Sequence, residues 1–323
     1  MRVLITGING FAGGYLATYL NQKQSTTLYG IDISPKGLGS EFEAEVFVGD
    51  LLDEAFVKKV LAQIRPDAIY HLAGQASVSS AWTQPWRTFE LNVHPQLNLF
   101  KGMAELGLET RFLSVTSSKV YSHACNAKVP FVEDEPICPD NPYSLSKVTE
   151  DLMAFQYHLS HNLRVIRARP FNHIGPRQRP DFVTAAFARQ IALAEAGLTP
   201  PLVKVGNLSA ARDFSDVRDV VRAYVMLIEK GRPGEAYNIG SGRAVVIQDI
   251  LDKLIALSRI EIKVEQDPER MRPVDQILSY GDTGKIKREI GWQPEIPLED
   301  TLANILNYWR KQTSEGAGER VSG

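Results

Sequence analysis

Met1–Leu16 reads MRVLITGINGFAGGYL, and this opening stretch decides the fold. Val3, Leu4 and Ile5 form a short apolar run that stops at Thr6-Gly7, and after Gly10 the apolar positions recur at helical spacing. The pattern predicts strand, tight turn, helix. Gly7, Gly10 and Gly13 punctuate that turn. In such a turn the first glycine permits the reversal, the second lets the backbone approach a pyrophosphate, and the third lets helix and strand pack closely. The phosphates then face the open N–H groups of the helix N-terminus. Asp32 ends the next apolar run, Leu28 to Ile31, about twenty residues on, where a carboxylate accepts hydrogen bonds from an adenosine ribose. That favours NAD(H), with NADP(H) left open because Lys36 lies nearby.

Composition sets the class. The 323 residues are 44% hydrophobic and 23% charged, enough for one large α/β unit or two lobes sharing a cleft. A net charge of -2 gives no electrostatic reason to expect nucleic acid or an anionic membrane as partner. No apolar stretch is long enough to span a bilayer, and the first apolar run is already a strand; both favour the cytoplasm. In that reducing compartment Cys125 and Cys138 read as two idle thiols, and the six scattered histidines suggest no metal site.

Working outward, strand and helix alternate: Glu45 to Val48, Ala55 to Ile64, Ala68 to His71, a long helix from Thr88 to Leu106, a strand at Phe112 to Val115, and a long helix from Tyr143 to Leu159. Alternation predicts a doubly wound parallel sheet with ligands at the carboxyl ends of its strands. Asp50, Leu51 and the run Leu72-Ala73-Gly74 fall at such ends and form a candidate cofactor wall. The two long helices carry apolar residues on more than one face, which suggests a homodimer. At Pro170 the texture turns proline-rich and polar. We therefore expect a dinucleotide-binding domain over 1–169 with returning segments near 209–240, a smaller lobe from 170–208 and 241–310, and a frayed tail at 311–323.

Tyr143 and Lys147 stand one helical turn apart and project from the same face. The ammonium, together with a positive nicotinamide ring, is expected to lower the phenol toward the working pH, suiting it to exchange a proton with a sugar hydroxyl or carbonyl. Ser117, just past a strand end in TSSKVY, and its neighbour Ser118 are placed to hydrogen-bond the same substrate oxygen.

The TGxxGFxG turn, the Ser117, Tyr143 and Lys147 set, and RDFSDVRD at Arg212 to Asp219 resemble the extended short-chain dehydrogenase/reductases that act on nucleotide sugars. Within that family RPFNHIGP (Arg169 to Pro176), VTAAFARQI (Val183 to Ile191) and KVGNL (Lys204 to Leu208) are most similar to the reductases that convert GDP-6-deoxy-4-keto-D-mannose to GDP-D-rhamnose. The resemblance implies that Ser117, Tyr143 and Lys147 are catalytic. It implies that Gly7, Gly10, Phe11, Ala12, Gly13, Asp32, Asp50, Leu51, Asn92, Pro170 and His173 line the cofactor, with Tyr143 and Lys147 touching it. It implies that Asn172, Asn207, Arg212, Arg272 and Asp275 hold the nucleotide sugar. Guanidinium forks suit a diphosphate, which agrees for the arginines.

Two positions depart from the family pattern. The related GDP-mannose 4,6-dehydratases carry a glutamate where this chain has Lys119, and Arg177 stands where the HIGPGQ pattern has glycine. Abstracting a proton beside a carbonyl needs a base, and an ammonium is not one. The expected activity is therefore NAD(P)H-dependent keto reduction, with a 4,6-dehydratase, a nucleotide-sugar 4-epimerase and a non-enzymatic cofactor sensor as alternatives.

Overall fold

The computed structural model describes residues 1–23, 25–35, 42–122, 124, 128–270 and 277–321. Its first half runs β1 (Arg2–Thr6), α1 (Phe11–Asn21), β2 (Thr27–Asp32), β3 (Glu45–Val48), α2 (Glu54–Ile64), β4 (Ala68–His71), α3 (Val78–Thr83), α4 (Pro85–Glu105), β5 (Arg111–Val115), α5 (Pro142–His161) and β6 (Arg164–Pro170). The second half runs β7 (Asn172–Ile174), α6 (Val183–Glu195), β8 (Leu202–Val205), β9 (Ala211–Arg212), β10 (Phe214–Asp216), α7 (Val217–Lys230), β11 (Ala236–Ile239), β12 (Val245–Val246), α8 (Ile247–Ala256), β13 (Lys263–Gln266), β14 (Leu278–Ser279), α9 (Gly284–Ile290) and α10 (Leu298–Val321).

Seven strands form one sheet in the order β11-β6-β5-β4-β1-β2-β3, and every neighbouring pair is parallel. The expected doubly wound sheet is therefore present. The strand order reverses between β1 and β4, whose carboxyl ends meet where Thr6 faces His71. A crevice at that reversal is where ligands bind in such sheets.

Both faces are covered. Leu16, Ala17 and Leu20 of α1 and Val220, Tyr224 and Leu227 of α7 bury against one face. Val57 and Leu61 of α2, Leu99 and Phe100 of α4 and Ala154 of α5 bury against the other. A separate core joins Phe187 and Ile191 of α6, Val203 of β8, Leu251 and Leu254 of α8, and Leu302, Ile305 and Leu306 of α10. The chain thus leaves the main sheet after β6, returns for α7 and β11, and leaves again for α8.

Two expectations need correction. Residues 311–321 continue α10 as helix instead of fraying. Its turns go on bonding past Trp309, where the Thr313 hydroxyl donates to Trp309 O (2.8 Å) and Lys311 pairs with Glu315 one turn later. Cys138 is disulfide-bonded, not an idle thiol; Cys125 lies outside the described residues.

Candidate active site

The glycine turn is built by close approach. Gly7 has φ +68, a left-handed conformation that side-chain-bearing residues seldom adopt, and a Cβ there would press on the Ala73 backbone at 2.9 Å. A Cβ on Gly13 would run into the carbonyl oxygen of Gly7. Gly10 caps α1 in an extended conformation with no side-chain hydrogen bond, so the first N–H groups of the helix stay open toward the crevice. A cradle that a methyl group would fill, at an uncapped helix N-terminus, fits a pyrophosphate.

That turn opens into a cavity of about 1050 Å³. Gly7, Gly10, Phe11, Ala12, Gly13, Leu72, Gly74, Ser117, Ser118, Tyr143, Lys147, Pro170, Asn172 and His173 all line it, as do Asn207 and Arg212 from the smaller lobe. Most of the residues singled out from sequence therefore meet in one place. The Phe11 and His173 rings stack with centroids 6.0 Å apart and tie the turn to the strand end beyond Pro170.

Other expected residues stand behind the wall. Asp32 accepts hydrogen bonds from the N–H groups of Asn9 (3.0 Å) and Ser34 (3.1 Å), which fixes its carboxylate at the rim beside the turn. Ala73 contributes backbone packed on Gly7. Asp50 does not line the cavity; its carboxylate accepts the N–H of Leu52 (2.9 Å). Leu51 is buried in the core against α2. Asn92 is also a correction: it is wholly buried, accepts the Gln75 N–H (2.7 Å) and donates to Ser146 Oγ (2.8 Å). Its amide is used up clamping the loop after β4 to α5. Arg272, Asp275 and Lys36 lie outside the described residues.

Helix α5 sets the candidate catalytic pair. Pro142 opens it, and Asn141 and Ser144 form a reciprocal cap in which Ser144 N–H donates to Asn141 Oδ1 (2.9 Å) and Asn141 N–H donates to Ser144 Oγ (3.0 Å). Tyr143 is thus held in the first turn, and the Ser146 hydroxyl donates to its carbonyl oxygen (2.8 Å). The Tyr143 phenol is hydrogen-bonded to Ser117, whose Oγ accepts the Lys119 N–H (3.1 Å). Lys147 reaches Val115 O at 3.4 Å and Glu150 Oε2 at 2.9 Å.

Among the protein's own groups, burial decides the state of the phenol. Burial raises the Tyr143 phenol and outweighs the pull of Lys147, while Glu150 adds to the rise. The proton is held on the oxygen, so the side chain is an acid at neutral pH. Burial works against the Lys147 ammonium, but Glu150 and Tyr143 more than offset it and keep the amine charged.

Lining residues not found from sequence are Ser77, Ser79, Ser80 and Trp82 around α3, Thr184 on α6, and Arg179 and Arg270. The run Ser77-Val78-Ser79-Ser80 carries a readable signal, a serine capping a helix three residues on, since Ser80 N–H donates to Ser77 Oγ (3.3 Å). Lys119 and Arg177, the two departures from the family pattern, also face the cavity. Arg177 holds a left-handed φ of +70 and lays its guanidinium over the Tyr15 ring, 4.2 Å from the centroid. Among the described residues no group of histidine, cysteine or acidic side chains forms a metal site, and no helix is long and apolar enough to cross a membrane.

Comparison with known proteins agrees with this geometry. The family model described as GDP-mannose 4,6 dehydratase matches residues 4–305. A GDP-6-deoxy-D-mannose reductase of Pseudomonas aeruginosa is 34% identical over 314 residues, 97% of this chain and 99% of that protein. The solved structure of RMD from Pseudomonas aeruginosa complexed with NADPH superposes with a TM-score of 0.84 at 34% identity, covering 96% of this chain and 99% of that one. A UDP-glucose 4-epimerase of Thermotoga maritima, solved with UDP-glucose, gives a TM-score of 0.86 at 27% identity over 97% of this chain and 99% of that one. With the family model spanning nearly the whole chain and the candidate catalytic set gathered in one crevice, the protein belongs to the GDP-mannose 4,6-dehydratase family of extended short-chain dehydrogenase/reductases.

Proposed function

We propose that the protein reduces the C4 ketone of a nucleotide-linked 4-keto-6-deoxyhexose, converting GDP-4-keto-6-deoxy-D-mannose to GDP-D-rhamnose with NAD(P)H. Lys119 carries this reading: an ammonium lines the cavity beside Ser117 where a dehydratase of this family keeps its glutamate base. The acidic residues that line the cavity among those described, Asp181 and Glu269, belong to segments beyond Pro170, away from the strand end that bears Ser117. Reduced nicotinamide, when bound, supplies the hydride to C4. The ketone oxygen accepts a hydrogen bond from Ser117 and takes the proton of Tyr143, and the Lys147 ammonium stabilises the phenolate left behind. Solvent returns the proton to Tyr143. A buried phenol that keeps its proton at neutral pH suits this direction.

Gly7, Gly10 and the open N-terminus of α1 would hold the cofactor pyrophosphate, and Lys147 the nicotinamide ribose. The Asp32 carboxylate, already oriented by two N–H groups, repels a 2′-phosphate and favours NADH, whereas the similar Pseudomonas structure holds NADPH. We assign residues 1–169 and 209–240 to the cofactor, and 170–208 with 241–310 to the nucleotide sugar through Asn172, Asn207, Arg212 and the segment containing Arg272 and Asp275. The protein acts as a homodimer in the cytoplasm, where reduced nicotinamide is supplied. Support for the dimer comes from Leu145, Leu152 and Leu159, exposed at seven-residue spacing along α5, an apolar seam suited to a second copy.

The test is product identification. The GDP-, UDP- and dTDP-linked 4-keto-6-deoxy sugars are each supplied with NADH or NADPH. GDP-D-rhamnose should be the main product, and preferential turnover of a UDP or dTDP sugar refutes the substrate assignment.

A further inference from the structure

Glu150 is the charged group nearest the catalytic lysine that the reduction itself does not use. It follows Lys147 by three residues on α5, and its side chain is 1% exposed. The ammonium lies 2.9 Å from Oε2, an ion pair enclosed away from water. The neighbouring Asp151 is paired differently: Arg167 and Arg169 of β6 donate to it at 2.7 to 2.8 Å. Those two guanidinium groups are therefore committed, and among the described residues Lys147 is the cation paired with Glu150. From α4 the Gln96 amide donates to the Glu150 backbone oxygen (2.8 Å), which anchors the helix at this residue. From β4 His71 feels Lys147; burial holds its ring far below the usual value, so it stays neutral.

A carboxylate excluded from water is costly unless a cation compensates it, and a glutamate placed here for packing alone would be better replaced by an apolar side chain. We propose that Glu150 is a positioning residue of the catalytic pair: its carboxylate holds the Lys147 ammonium in place and, by countering its charge, keeps the proton on Tyr143 until the keto sugar takes it. Burial lifts the Glu150 carboxyl to about 7 against the pull of Lys147, so its charge is fully present on the alkaline side. The proposal deepens the reductase reading and rests on it for the last step.

The consequence does not depend on which group titrates first. Tyr143 and Lys147 together carry two protons in the active state, and a nearby negative charge makes either one harder to lose. Glu150→Gln keeps the shape and removes the charge, so the alkaline limb of kcat/KM for keto reduction should move down by about one pH unit. Lys147 also holds the cofactor, so the pH dependence of NADH affinity, read from nucleotide fluorescence without any sugar, should shift the same way. A purely structural Glu150 would lower turnover at every pH and leave both limbs where they are; superimposable limbs overturn the proposal. If the glutamine variant does not fold, Glu150→Asp draws the carboxylate back by one methylene. It should shift the binding limb in the same direction by less, and an unmoved limb again overturns the proposal. Absence of keto-sugar reduction by the unsubstituted protein, with the binding limb still displaced in Glu150→Gln, refutes the reductase reading alone.

Discussion

Replacing Gly13 by alanine sets two effects of opposite sign against each other. Alanine is the better helix former by about 1 kcal/mol, and Gly13 lies inside α1. The new methyl, however, would collide with Gly7 O and stand 2.9 Å from both Cα and O of Ile8. All three atoms are backbone, so no side chain can swing aside, and overpacking of this kind costs about 1–3 kcal/mol. The net loss of stability should be small, about 0–2 kcal/mol, because the helix relieves the clash by sliding away from the turn. Cofactor affinity bears the greater loss. A hydrogen bond from a helix N–H to a charged phosphate contributes about 1.5–3 kcal/mol, so withdrawing one should raise the dissociation constant roughly 10- to 100-fold. Nucleotide fluorescence gives the affinity and thermal melting gives the stability. An unchanged dissociation constant in Gly13→Ala would refute the placement of the pyrophosphate against this turn.

Tyr143→Phe keeps the ring and removes the proton donor, so turnover should fall by about 10²–10⁴ while cofactor binding stays within a few-fold; near-normal turnover would remove Tyr143 from the chemistry. Asp32→Ser should raise kcat/KM for NADPH relative to NADH, starting from a wild-type preference for NADH, and a strong wild-type preference for NADPH would void the ribose assignment. Leu152→Asp sets a carboxylate in the middle of the exposed leucine seam of α5, so sedimentation should report monomers in place of dimers. A wild-type monomer would refute the homodimer, and a dimer that survives the substitution would place the contact elsewhere.

What could be read from the chain was local. The strand and turn at Val3 to Gly13, the strands Glu45–Val48 and Ala68–His71, and the pair Tyr143 and Lys147 each show in a few neighbouring residues. The two-residue strands Ala211–Arg212, Val245–Val246 and Leu278–Ser279 are too short for any periodicity and exist only because they pair with one another. Helix α3 spans six residues, below the length at which apolar spacing becomes visible. Asn92 sits where a cofactor contact is expected, yet its partners Gln75 and Ser146 come from a loop and another helix, a juxtaposition that spacing along α4 does not reveal. Burial was the larger omission. Lys147 and Glu150 look like an ordinary pair on a solvated helix face, and enclosure turns them into the dominant charges around Tyr143 and raises its phenol above the usual value.

Net consumption of reductant separates reduction from dehydration most directly. A dehydratase oxidises C4, removes a proton from C5, expels the C6 hydroxyl and returns the same hydride to C6, so it uses no reductant overall. The protein is incubated with GDP-mannose, and separately with its 4-keto-6-deoxy derivative, while NADH or NADPH absorbance is followed and the sugars are identified. GDP-mannose should be left unchanged, and the keto sugar should consume one reduced cofactor for each molecule converted. A 4-keto product from GDP-mannose without loss of reductant would contradict the reductase reading and show that another residue replaces the glutamate absent at Lys119.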